Sequence, residues 1–147
     1  MSQTEIQFTS TWTSTTKGKG RLNGEQLDTI ITIPNYYEGN NPGTNPKELL
    51  VSAATSCYFM TLVAMLEPRK LPIINIEMRT SAVSSDKEGL KINHAPYITL
   101  SKSTSDEQVD VVTRTMIAAD KACAIGNMLR KADVEINVTS KSILSSN

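Results

Sequence analysis

The chemistry this chain can offer centres on two cysteines, Cys57 and Cys123. A thiolate is a nucleophile and a redox group, whereas a neutral buried thiol is only a small apolar filler. Cys57 lies in an otherwise apolar stretch beside Ser52, Thr55 and Ser56, so a small polar strip accompanies it. Cys123 falls at the start of a short predicted helix, where unpaired amides and the positive end of the dipole favour a thiolate. One thiol in a sheltered pocket and a second nearer the surface suit peroxide chemistry. The first is oxidised to a sulfenic acid, and the second resolves it as a disulfide. Core packing is the competing role for each cysteine.

Other chemistries are poorly supplied. The single histidine, His94, does not combine with Cys57 and Cys123 at the close paired spacing of a zinc site, so no metal centre is expected. His94 reads instead as a strand residue with local hydrogen bonds. Gly18-Lys19-Gly20 is a lone fragment in a predicted hairpin, not the strand-to-helix turn that cradles phosphate. Fifteen Lys plus Arg balance fifteen Asp plus Glu, which leaves no basic footprint for nucleic acid or an anionic membrane. The first residues are polar and Thr-rich, without the apolar run of a secretory signal. The expected compartment is the cytoplasm, where two cysteines stay reduced.

The elements around the cysteines must position them. Residues 49–66 carry no charge and contain Cys57 near their middle. A membrane span needs roughly twenty mainly apolar residues, but Ser52, Thr55, Ser56 and Thr61 interrupt this run and Glu48 and Glu67 flank it. A buried helix fits better. Asn45 can cap it, Pro46 suits its first position, Glu48 can close a capping box, and Pro68 ends it. A helix apolar nearly all round should be covered on more than one face.

The cover comes from the rest of the chain. Ile6, Phe8 and Trp12 alternate with polar residues as in a half-buried strand. Residues 17–22 and 26–33 read as a hairpin joined at Asn23-Gly24, a dipeptide that favours a tight type I′ turn. A loop with Tyr36 and Tyr37 leads to the central helix. Residues 73–84 and 90–102 alternate again, and Pro96 predicts an edge position or a bulge. Ser105 to Gln108 forms a capping box for a helix that ends or bends around residues 120–123. A short helix to about Lys131, a strand over 134–140 and a polar Ser-rich tail complete the chain. The pattern is α+β, in one domain over residues 1–147.

These residues also carry a resemblance. Gly43-Thr44-Asn45-Pro46-Lys47-Glu48-Leu49-Leu50, then Ala53-Ala54 and Cys57, resembles the helix-opening signature of the OsmC/Ohr family of osmotically inducible and organic hydroperoxide resistance proteins. The segment from Ala122-Cys123 to Asn127, with Leu129-Arg130 and Val134, is similar to that family's second-cysteine segment. The resemblance implies antiparallel sheets around a long central helix, in an intertwined homodimer with active sites at the subunit interface. It implies thiol-dependent peroxidase activity on organic hydroperoxides, with Cys57 peroxidatic and Cys123 resolving. A dithiol, of lipoyl type in the best-known branch, would be the reductant, and neither metal nor cofactor is required.

The sequence also departs from the family. There the thiolate is supported by a loop arginine held by a glutamate at the start of the central helix. Lys47 stands at that glutamate position and Glu48 follows it, one residue and about 100 degrees around the helix. Tyr36 and Tyr37 occupy the loop where the arginine would fall. Arg21 is the nearest cation by sequence, which makes Arg21 and Glu48 the candidate supports for Cys57. The alternative is a non-catalytic dimeric binding protein of the same fold. It would hold an apolar or acyl ligand in a pocket lined by Tyr36, Tyr37, Tyr58, Phe59 and Met60.

Overall fold

The structure is a computed structural model that describes residues 3–34 and 42–144; Tyr36 and Tyr37 lie outside the described residues. The chain divides between Leu50 and Val51 into two units, and each is described by itself.

The first unit is a three-stranded antiparallel sheet of β1 (Thr9–Thr13), β2 (Lys19–Asn23) and β3 (Asp28–Ile31), in that order. The strand expected from Ile6 begins at Thr9, and Phe8 and Trp12 are exposed within this unit. The hairpin also differs from the expected two-residue turn. Asn23 pairs with Asp28, and Gly24 N–H donates to the Leu27 carbonyl at 2.7 Å, so residues 24–27 form the loop. Gly24 lets the Phe8 ring lie against the loop: a Cβ there would come 2.7 Å from that exposed ring and displace it. Thr44 then joins the edge of β3, donating from its amide to Ile30 O at 2.9 Å and accepting from Thr32 N at 3.0 Å.

That anchor leads into α1 (Pro46–Leu66). Asn45 Oδ1 accepts from Glu48 N–H at 3.0 Å, as the sequence predicts for a cap, and Pro46 takes the first helical position. The Glu48 carboxylate accepts from the Thr44 hydroxyl. A single 3-10 turn over Glu67–Arg69 contains Pro68 and ends the helix.

In the second unit β4 (Ile73–Ser85) and β5 (Gly89–Leu100) form a long antiparallel hairpin. α2 (Asp106–Ala122) and α3 (Ala124–Lys131) follow, then β6 (Glu135–Val138) and β7 (Lys141–Leu144). Both last strands run parallel to β5, so this sheet is mixed and not purely antiparallel. The reason is topological: a chain that leaves β5 through two helices returns to the sheet in the same direction. Pro96 lies on a central strand, contrary to the edge or bulge expected. β6 pairs with residues 91–94 and β7 with residues 97–100, so Pro96 falls at the gap between them, where no ladder partner is needed. The segment read as a polar Ser-rich tail supplies β7. Thr139 N–H donates to His94 O at 2.8 Å and carries the chain from β6 to β7.

The core of this unit lies between α1, β5 and α2. Tyr58, Leu62 and Leu66 from α1 pack with Ile98 and Leu100 from β5 and with Val112, Met116 and Ala119 from α2. Ala54, Ile92 and Ile136 form a smaller cluster. Ala54, Tyr58, Leu62 and Leu66 recur every fourth residue, so α1 buries one stripe and leaves Met60 and Val63 exposed. By length and composition Pro46–Arg69 could cross a membrane. Its buried stripe instead makes it the core helix of this unit.

Candidate active site: a pair of neighbouring thiols

Cys57 precedes Tyr58 on α1 and therefore lies at the flank of the buried stripe, where it is half-buried. Cys123 is almost wholly buried, which reverses the expectation that the second thiol would be nearer the surface. Both are free thiols; Cys57 packs against the core cluster that contains Cys123, and the ionisation of each sulfur is influenced by the other.

Cys123 is the hinge between two helices. Its backbone is extended (φ −70°, ψ 111°), so it ends α2 and serves as the N-cap of α3. Its N–H donates to Asp120 O at 3.3 Å, and its Sγ accepts from Gly126 N–H at 3.4 Å. Gly126 keeps that contact open, because a Cβ there would come within 3.3 Å of the sulfur. The amides of Ala124 and Ile125, the first two of α3, are left without intrahelical acceptors. They act on Cys57.

These neighbours decide which sulfur carries charge. Burial pushes the Cys57 thiol up, but hydrogen bonds from the Ile125 amide, the Cys123 side chain, the Ala124 amide and the Thr61 hydroxyl outweigh it. The thiol is held below its ordinary range. Cys123 moves the other way. Burial first, and then the bond to Cys57, its charge and the Asp120 carboxylate, push it up to about 11 against the help of the Gly126 amide. Of the two, Cys57 is the sulfur whose surroundings favour the thiolate, and Cys123 the one they favour as a thiol. In the sequence the helix start favoured a thiolate on Cys123 itself, whereas the family resemblance implied Cys57 as the attacking thiol.

Of the anticipated supports, Arg21 donates through Nε and Nη2 to the two Asp28 carboxylate oxygens at 2.8 and 2.9 Å, across β2 and β3. Glu48 is engaged by Thr44. The groups acting on the Cys57 sulfur come instead from α1 and the α2–α3 junction. Sequence reasoning missed Thr61, whose signal was its position one helical turn beyond Cys57; in the structure its hydroxyl donates to Cys57 O at 2.7 Å, beside the sulfur. It also missed Asp120 and Arg130, which no local pattern connects.

A polar layer lies behind the thiols. Tyr58 donates its hydroxyl to Met116 O at 2.8 Å and stacks on His94, with ring centroids 5.1 Å apart. His94 Nδ1 pairs with Thr80 Oγ1 at 3.0 Å, the local hydrogen bonding expected of it, and burial holds its pKa down. Tyr58 is therefore part of the core, while Met60 faces outward, so these two do not line one ligand pocket.

Fold and site together define an α+β thiol protein in which a long core helix sets one cysteine against another at a helix junction. The chain belongs to the OsmC-like protein family, whose match covers residues 39–139. It is 28% identical over 142 residues to the uncharacterized protein YmaD of Bacillus subtilis, covering 94% of each chain. Its fold is similar to that of an OsmC-like protein from Mycoplasma pneumoniae, with a TM-score of 0.73, 17% identity and coverage of 97% and 99% of the two chains. The organic hydroperoxide resistance protein OhrB of Bacillus subtilis shares the fold at a TM-score of 0.58, with 21% identity over 92% of this chain and 98% of that one.

Proposed function

We propose that this protein is a thiol-dependent peroxidase for organic hydroperoxides that works through Cys57 and Cys123. The observation that carries the proposal is the environment of Cys57, whose sulfur faces two free helix amides, a thiol donor and a hydroxyl. A half-buried thiol needs such support to be a nucleophile near neutral pH. The family's supporting arginine is replaced here by the N-terminus of α3. The shared family with organic hydroperoxide resistance proteins supports the substrate class.

The chemistry balances as follows. The Cys57 thiolate attacks the terminal peroxide oxygen, the O–O bond breaks, and the alkoxide leaves and takes a proton from water to become the alcohol. The transferred oxygen keeps its own proton, so Cys57 becomes a sulfenic acid. Cys123 loses its proton to solvent and attacks the Cys57 sulfur. The S–O bond breaks, hydroxide leaves as water, and a disulfide forms. A dithiol, of lipoyl type by family, returns two electrons and two protons and is itself oxidised to a disulfide. Conversion of Cys57 to a neutral sulfenic acid removes the charge that holds the proton on Cys123. Resolution therefore becomes easier after the first step.

The same reading treats residues 1–147 as one OsmC-like domain in a cytoplasmic homodimer, with a second copy against the uncovered side of α1. The family match, which crosses the boundary between the units, supports it. Mixing the reduced protein with one equivalent of an alkyl hydroperoxide and titrating thiols tests the chemistry. Loss of both thiols with release of one alcohol per chain is expected. Survival of both thiols in prolonged excess peroxide overturns the assignment.

A further inference from the structure

The amides that face Cys57 are only as well placed as α3, a helix of eight residues. Such a helix is marginal by itself and must be held by tertiary contacts. One side chain does most of this. Arg130 Nη2 donates to both Asp120 carboxylate oxygens, at 2.9 and 2.8 Å, and to Ile136 O at 3.0 Å. Arg130 Nη1 donates to Asn127 Oδ1 at 3.2 Å and to Asp120 O at 3.4 Å. One guanidinium therefore ties together the last turn of α2, the body of α3 and β6. Asp120 O also accepts from Cys123 N–H, so the clamp reaches the residue that carries the second sulfur and caps α3.

Ordinary helix energetics do not account for this pair. A carboxylate in the last turn of a helix opposes the dipole, and Asp120, with 19% of its side chain exposed, is too sheltered to be a solvated surface acid. Other surface pairs such as Arg21–Asp28 are about half exposed. The Arg130–Asp120 pair is the most enclosed ion pair among the described residues, and it adjoins the thiols.

We propose that Arg130, through Asp120, is a positioning residue for Cys57: it holds the α2–α3 junction so that the Ala124 and Ile125 amides point at the Cys57 sulfur. This rests on the peroxidase reading only for its purpose, since the reactivity of Cys57 is measurable without peroxide. The other titratable groups around the pair are Tyr58 on α1, His94 on β5 and Cys123 itself. All three remain chemically unchanged in the Arg130 variants, so a moved profile reports the junction and not a lost titrating group.

The test is the pH dependence of Cys57 alkylation by iodoacetamide, read by peptide mass, in the wild type, Arg130→Met and Arg130→Lys. Loss of the clamp in Arg130→Met is expected to slow alkylation at pH 7 by roughly tenfold and to move the midpoint of the profile upward. Arg130→Lys keeps the charge but not the fork, so it should fall between the two. If Arg130→Met does not fold, Arg130→Lys is judged by the same criterion. A folded variant with an unchanged profile overturns the proposal, whatever its melting temperature. A shifted profile in a protein that leaves peroxide intact upholds the clamp and rejects the peroxidase reading alone.

Discussion

At the scale of single residues, the two sulfurs are similar groups that their surroundings drive apart. Cys57 is held low and Cys123 is pushed from the ordinary 9.0 to about 11. For Cys123 this has a consequence for stability. Below pH 9 the thiol is protonated in both the folded and the unfolded chain, so its contribution is fully present. Between pH 9 and about 11 the unfolded chain releases the proton while the folded chain keeps it, and stability falls. The melting temperature should therefore drop more steeply across this window in the wild type than in Cys123→Ser, whose hydroxyl does not titrate there. Equal slopes would show that Cys123 is not held protonated by the fold. The sequence revealed both cysteines, because free thiols are few and chemically distinct. It did not reveal their partners, since Ala124 and Ile125 reach Cys57 through backbone amides that any residue type could supply.

Elements with local signals were the most legible. Asn45-Pro46 marked the start of α1, and Ser105 to Gln108 marked the start of α2. In the second case both bonds of the capping box are present, Gln108 N–H to Ser105 Oγ at 3.1 Å and Ser105 N–H to Gln108 Oε1 at 3.0 Å. Ser105→Ala should cost about 1 kcal/mol and lower the melting temperature by a few degrees. It should leave Cys57 alkylation unchanged, because the cap lies at the far end of α2 from Cys123. A fall in alkylation that tracks melting temperature would mean that general stability, and not the geometry of the junction, controls the thiol. Features set by pairing with distant strands were less legible. Nothing near Pro96 indicates that β6 ends and β7 begins opposite it, and nothing in the tail indicates that residues 141–144 complete a central sheet.

For the whole molecule, the open question is what covers α1. Its buried stripe accounts for one side, yet Met60 is 72% exposed and Val63 43% exposed. Large apolar side chains on a helix that is itself apolar nearly all round are the mark of a surface that another chain covers. A second copy of this chain, with α1 against α1, is the occupant that the family membership favours. Met60 does not belong to either core cluster, so a charge there leaves the core of the single chain intact. Met60→Glu would place two carboxylates at or near a shared interface, where burial without partners costs several kcal/mol. Sedimentation velocity should show a dimer for the wild type and a folded monomer for Met60→Glu, with near-wild-type circular dichroism. A wild type that sediments as a monomer at micromolar concentration would remove the dimer from the proposal. Alkylation of Cys57 in that monomer would separate the clamp from the interface, because the α1 and α2–α3 groups described around its sulfur lie in its own chain.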